Sequence, residues 1–280
     1  MSNEKTVKGT ILMFGPSAVL AGMRLLREKD SFWEQYFSDL HDIYPVDNAM
    51  SSYSQRQGVE VDLKPVVGTT KDGEEIYFVP VDPCVFKNEP GSLRTRTHYI
   101  DIADKTVGIG LAGTYLEDAK LGDVMMPDCA VCSDNLKFQY DGDACELAFP
   151  GCSDSTLRRM LGFEYEKSGM KVFDGIRART VADIAEVNSF RPDHAEEMRE
   201  QGFASSDMET AWFLMYCNHL RNPRCGAVSL VVSDLPTERP FEENGFFEPV
   251  PKVPVEEKYN TIPWQNIDKC VKYSVPVLLE

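Results

Sequence analysis

No dense run of lysine or arginine occurs in this 280-residue chain, and acidic residues outnumber basic ones 45 to 29, for a formal charge of −16 at neutral pH. A protein that grips a nucleic-acid backbone relies on clustered cations that release counterions, so a nucleic-acid polymer is excluded as partner. Long apolar runs are also missing. Stretches such as Ala211 to Cys217 fall far short of the ~20 residues that span a bilayer, and the polar start MSNEKTVKGT has no apolar core of signal-peptide length. No membrane association is expected, and cytoplasmic residence is the default. Eight cysteines are too few to define a disulfide framework, so they are expected to be reduced and mostly buried. Cys129 and Cys132 make one CxxC, with Cys145 and Cys152 following, but zinc usually takes two tight pairs and the second pair here is seven residues apart. No metal is expected. The Gly15-Pro16-Ser17 turn carries neither a GxGxxG nor a GK[ST], which removes the dinucleotide fingerprint and the P-loop at that place.

What is present is an ordinary globular composition, 42% apolar and 10% aromatic. A chain of this size buries roughly 75% of its unfolded surface, which fits one large domain or two small ones; with no obvious linker it reads as a single domain spanning 1–280. Short β-branched runs alternate with helix-period segments, the pattern of an α/β domain. Gly9 to Phe14 reads as a first strand, turning through Gly15-Pro16-Ser17 into a helix that carries Val19, Leu20, Met23 and Leu26. Val59 to Val67 and Glu75 to Val81 read as strands around an Asp72-Gly73 turn, and Thr106 to Leu111 as a buried strand ending in glycines. Asp123 to Val131 and Lys171 to Ala182 are expected to be extended, and Ser155 to Glu166 and Asp193 to Gln201 helical, the latter stopped by Gly202. Ser206 to Leu220 is the strongest helical segment, and Gly226 to Val232 reads as a strand covered on both faces. Five prolines between 236 and 254 exclude regular structure, so about 236–262 reads as a loop or lid in which Phe241, Phe246 and Phe247 could cover a ligand. Trp264 to Leu279 returns as a last helix, with Pro276 breaking its end.

In open α/β sheets ligands bind beyond the carboxyl ends of the strands, which singles out four places. Gly15-Pro16-Ser17 offers backbone amides at a helix start, suited to phosphate or to a plain turn. The glycines from Gly108 to Gly113, followed by Thr114, permit close approach of a ligand or a structural bend. In SSDMETA, residues 205–211, Ser and Asp suit a helix cap, whereas the Glu209 carboxylate can accept two hydrogen bonds from a vicinal diol. Ser233-Asp234 ends an apolar strand, where an acid is either a turn former or a desolvated proton donor.

These segments stand in an order that resembles the nucleoside phosphorylase and nucleosidase superfamily. The likeness rests on Gly108 to Pro127 with AGTYLEDAKLGDVMMP, TVAD near residue 180, SSDMETA and VVSD at 231–234. It implies a three-layer αβα fold around a mixed central sheet, and cleavage of the N-glycosidic bond of a nucleoside or nucleotide. Carried over by position, Met208 packs against the ribose and Glu209 holds its 2′ and 3′ hydroxyls. Asp234 serves the N7 of a departing purine, flanked by Ser233, and Phe190 in NSFRP stacks on the base. Gly15 and Thr114 lie where relatives bind phosphate, with Arg24, Arg94 and Arg96 as the available cations. Pyrimidine-specific relatives lack an acid at the Asp234 position, so its presence implies a purine.

The acceptor stays open between phosphate and water. Lys105-Thr106-Val107 stand where the family's phosphate pattern has an arginine, and GPSAV lacks the glutamate with which thio-nucleoside hydrolases activate water. Ala112-Gly113 leans toward nucleotide nucleosidases, in which the arginines serve the substrate's own 5′ phosphate. Phosphorolysis with inorganic phosphate as co-substrate, hydrolysis of a nucleotide, and non-catalytic purine binding on the same fold are the three readings. No other cofactor is implied, and the family's habit of completing its site from a neighbouring subunit implies a homodimer or larger homo-oligomer. His41, His98, His194 and His219 have no evident partner and read as structural. Trp212 and Phe213 read as core or subunit contacts.

Overall fold

The first strand shows how the sheet sorts its side chains. In β1 (Val7–Phe14), Ile11 and Met13 join one core cluster while Leu12 and Phe14 join another, the two-residue alternation of a strand buried on both faces. The chain is seen in a computed structural model that describes residues 6–28, 31–43, 64–81, 93–132, 137–140, 143–146, 151–181, 192–219, 225–236 and 261–280. After β1 come α1 (Gly15–Arg27), α2 (Ser31–Tyr36), β2 (Asp39–Asp42), β3 (Val66–Thr69), β4 (Glu75–Val81), α3 (Leu93–Asp101), β5 (Lys105–Thr114) and β6 (Val124–Cys132). The chain continues through the hairpin β7 (Lys137–Tyr140) and β8 (Asp143–Glu146), then β9 (Gly151–Cys152), α4 (Ser155–Lys167), β10 (Val172–Thr180) and α5 (Pro192–Glu200). It closes with β11 (Ser205–Asp207), α6 (Thr210–His219), β12 (Cys225–Asp234) and α7 (Ile262–Leu279).

The main sheet runs β11-β10-β6-β12-β5-β1-β4-β3-β2, with β9 added to β6. Its centre, β12-β5-β1-β4, is parallel, whereas β6 runs antiparallel to β12 and β3 antiparallel to β4. β11 pairs with β10 on one side and antiparallel with β5 on the other, which closes β5, β12, β6, β10 and β11 into a ring. On one face α1, α4 and α7 cover Ile11, Val107, Val124 and Val231; on the other α3 and α6 cover Leu12, Met125, Val228 and Val232. This is the expected three-layer α/β arrangement around a mixed sheet, with seven helices among the described residues. None of those helices is long and apolar enough to cross a membrane.

Several boundaries move. The glycines of 108–113 do not form a loop: β5 continues through them to Thr114. A Cβ on Gly108 would stand 2.4 Å from the ring of Phe14, and one on Gly110 3.2 Å from the Cβ of Phe14, so these glycines make room for an aromatic side chain. The segment expected to be helical from Ser206 is a short strand first, because Ser205 and Ser206 pair with Thr114 and Gly113, and helix begins only at Thr210. Pro276 does not end the last helix, which runs on to Leu279 with Val275, Val277 and Leu278 buried. α2 and β2 were not legible as elements; Trp33 and Phe37 pack edge-on against Phe78, which fixes them to the sheet. Of the strand expected over Val59 to Val67, residues 59–63 lie outside the described residues, as do most of the Pro-rich segment and Phe241, Phe246 and Phe247.

Candidate functional site

Gly113, near the end of β5, is the point around which the distant motifs meet. It pairs with Ser206 of β11 on one side and with Asp234 of β12 on the other. Residues more than a hundred positions apart in the chain are thereby held at one end of the sheet.

β12 is buried along nearly its whole length, with Val228, Leu230, Val231 and Val232 fully inaccessible. The strand pairs Val232 with Ala112 but Asp234 with Gly113, so one extra residue is accommodated at Ser233. Such bulges re-aim the side chain that follows. The side chain of Asp234 is buried, and its Oδ1 has no hydrogen-bond partner among the described residues, while Oδ2 accepts from the Ser233 hydroxyl at 2.8 Å. Burial pushes this carboxyl up to about 7, with the Ser233 hydrogen bond acting in the opposite sense. A group with that affinity is protonated in part at neutral pH and can donate through Oδ1.

Across β5, Asp207 builds the turn that presents Met208 and Glu209. One carboxylate oxygen of Asp207 accepts from the amides of Glu209 at 3.2 Å and Thr210 at 2.7 Å, and from the Thr210 hydroxyl. The other accepts from the Thr180 hydroxyl at 2.8 Å, and that hydroxyl in turn accepts from the Ala211 amide at 2.8 Å. The carboxyl of Asp207 is fully buried, which pushes its affinity for protons up, while these four donors pull the other way. β10, β11 and the first turn of α6 are thus tied together at the two residues expected to face a ribose. Glu209 is buried and Met208 is half-buried against the cluster of Tyr115, Val181, Ala195 and Met198. The capping function expected of SSD falls to Asp207. Thr180, which the sequence marked only through the TVAD motif, holds Asp207 on one side and the Ala211 amide on the other.

At the end of β1, Gly15 takes a left-handed backbone (φ 77°), and a Cβ there would meet nothing within 4 Å. α1 starts without a side-chain cap and without an acid in its first turn, leaving its amides open to an anion. The cations are not gathered there. Arg24 lies nine residues into α1, roughly 13 Å along the axis from Gly15 at 1.5 Å per residue, and its Nε donates to Glu28 at 2.6 Å. Arg96 is buried in α3 and hydrogen-bonds Tyr99. Arg94 is the second residue of the same helix, and its side chain lies outside the described residues. The Thr114 hydroxyl is committed to the backbone, donating to the Ala204 carbonyl at 3.2 Å and accepting from the Leu116 amide at 3.0 Å. Phe190 lies outside the described residues.

The remaining singled-out residues sit elsewhere. Trp212 and Phe213 are buried in the layer of α6, with Phe213 edge-on to Phe14 at 5.6 Å. His41 pairs with Asp39 at 2.8 Å, and His194 stands 3.7 Å from Glu197. Burial is the main cause that pulls His98 below its usual value, beside Arg96. The side chain of His219 lies outside the described residues. A cavity of about 530 Å³ lies between α1, α2, β2 and β3, lined by Leu26, Trp33, His41 and Val66 among others, away from Asp234 and Glu209. Among the described residues no cluster of His, Cys, Asp and Glu has the makings of a metal site.

Comparison with known proteins covers both halves of this arrangement. Residues 92–250, more than half of the chain, match the profile of the Phosphorylase superfamily. No curated protein matches by sequence. Among solved structures, the fold is similar to purine nucleoside phosphorylase from Toxoplasma gondii in complex with immucillin-H, with a TM-score of 0.63 at 13% identity, over 100% of this chain and 94% of that one.

Proposed function

The chain belongs to the phosphorylase superfamily, and from that premise we propose that it cleaves the N-glycosidic bond of a purine nucleoside, with inorganic phosphate as acceptor. The observation that carries this reading is Asp234: a buried carboxyl at a strand end, one oxygen without a partner among the described residues, its proton affinity raised to about 7. Cleavage builds positive charge on the ribose and electron density on the leaving base. A donor at N7 neutralises the base as the bond breaks, which is worth most in the transition state. Purines have an acceptor there, and a protonated Asp234 can supply the hydrogen.

The other end of the substrate requires a diol acceptor and an anion. Glu209 is held for the diol by the turn that Asp207 organises. The amides at Gly15, where the helix start has no side-chain cap, suit phosphate beneath the sugar, with Arg94 and Arg96 of α3 as the candidate cations. The fold shared with a purine nucleoside phosphorylase supports the same assignment.

A second reading, hydrolysis of a purine nucleotide, is favoured by one observation. Thr114 spends its hydroxyl on the backbone and Arg24 stands at the far end of α1, which leaves few donors for a free phosphate. Incubation with adenosine, inosine, guanosine, AMP and ATP, with and without phosphate, separates the two. Free base appearing only with phosphate supports phosphorolysis, base released from a nucleotide without phosphate supports hydrolysis, and no release from any substrate overturns both in favour of a binding protein.

A further inference from the structure

The CxxC of Cys129 and Cys132 has no role in the site above, and the structure separates its members. Both lie in β6, where three residues of extended chain put them about 10 Å apart on opposite faces of the strand. The residue brought beside Cys129 is Cys152, its direct antiparallel neighbour in β9. Ser153 N–H donates to the Asp128 carbonyl at 2.9 Å, whereas Cys152 N–H donates to Asn218 Oδ1 of α6 at 2.6 Å and not across to β6. Hydrogen-bonded and open pairs alternate along an antiparallel ladder, so Cys129 and Cys152 occupy an open pair, with Cα atoms about 4.5 Å apart. Disulfides span 4.4–6.8 Å between Cα atoms, so this position accepts a bridge without moving the strands. Both thiols are reduced in the structure; Cys152 is exposed and Cys129 is half-buried.

We propose that Cys129 and Cys152 are a redox-active dithiol that closes to a cross-strand disulfide on reaction with a small-molecule disulfide of the glutathione class. The Cys152 thiolate attacks one sulfur of the oxidant, forming a mixed disulfide and expelling one thiolate. Cys129 then loses its proton to solvent and attacks the Cys152 sulfur, forming the protein disulfide and expelling the second thiolate; two protein thiols are oxidised and one small disulfide is reduced to two thiols. The order follows from access and acidity: burial, then the neighbouring Asp128, hold the Cys129 thiol up at about 11, so it is the poorer first nucleophile and attacks only when its target is adjacent. The bridge spans residues 129–152 and fastens β9 to β6. Gly151 of β9 already lies against Ala211, Leu214 and Met215 of α6, so the lock reaches the helix that follows Glu209.

The test uses the full-length protein and does not depend on its catalytic activity. After incubation with oxidised glutathione, acid quench and alkylation, two of the eight thiols are lost, peptide mapping joins Cys129 to Cys152, and dithiothreitol restores both. Closing a loop of this length raises Tm by roughly 5–10 °C. The variant C132S behaves as the parent, C152S forms no bridge, and C129A accumulates the mixed disulfide on Cys152. A parent protein that keeps all eight thiols, stops at the mixed disulfide, joins Cys152 to another cysteine, or loses thermal stability on oxidation overturns the proposal.

Discussion

The Ser233 hydroxyl donates to Oδ2 of Asp234 at 2.8 Å while Oδ1 of the same buried carboxyl has no partner among the described residues. The two oxygens are therefore unequal: Oδ2 is held as an acceptor, and Oδ1 is the oxygen available to carry and deliver a proton. Asp234→Asn keeps the shape and removes the acid. Its kcat on purine nucleosides is expected to fall ~10²–10⁴-fold, the usual worth of a general acid, with a much smaller change in KM. Steady-state kinetics check this; a variant with parental kcat would remove Asp234 from leaving-group chemistry.

The same carboxyl sets a pH dependence. With a proton affinity raised to about 7, the donor form is present at lower pH and lost as pH rises through that value, so kcat/KM is expected to decline on the alkaline side near 7. The Ser233 hydrogen bond favours the ionised form, so Ser233→Ala shifts the declining limb to higher pH, and Asp234→Asn abolishes it. A pH–rate profile of the three proteins reads all of this.

Stability carries the opposite signature. The unfolded carboxyl titrates near its ordinary 3.8 and the folded one near 7. Below the unfolded value both states are protonated and Asp234 costs nothing; between the two values the unfolded carboxyl ionises while the folded one must keep its proton, so the folded state is penalised progressively, and above about 7 the penalty is complete. Asp234→Asn is expected to match the parent near pH 4 and to be more stable at pH 8, by up to about 4 kcal/mol for a carboxyl raised from 3.8 to about 7. Denaturant melts at the two pH values measure it.

Thr180 acts on Glu209 through Asp207. Thr180→Val keeps the shape but leaves a buried Asp207 oxygen and the Ala211 amide short of their 2.8 Å partner. The expected cost is roughly 1–3 kcal/mol of stability. KM is expected to rise for ribonucleosides but not for 2′,3′-dideoxyribonucleosides, with Thr180→Ser close to the parent. Equal KM changes on both substrate types would reduce Thr180 to a purely structural role.

Local pattern carried much of the fold. The alternation in β1, the apolar run of β12, the Gly202 stop after α5 and the period of α7 are set by neighbours in sequence, and each element stands within a few residues of its expected place. The DMETA and VVSD motifs likewise marked Glu209 and Asp234, because an acid beside an apolar run is conspicuous without any contact information. The pairing partners were not legible. Ser205-Ser206-Asp207 has a good helix-start composition, and only the open edges of β5 and β10 make it a strand. The glycines of β5 suggested a ligand loop, and only the position of the Phe14 ring shows what they make room for. Arg24 looked available to a phosphate until the length of α1 carried it away, and Cys129 looked paired with Cys132 until the ladder set it beside Cys152. Sequence by itself determined which residues are apolar, which are acidic, and with what period they recur. Tertiary structure decided which acid is stripped of water and which thiol has a neighbour, because desolvation and cross-strand contact are properties of segments far apart in the chain.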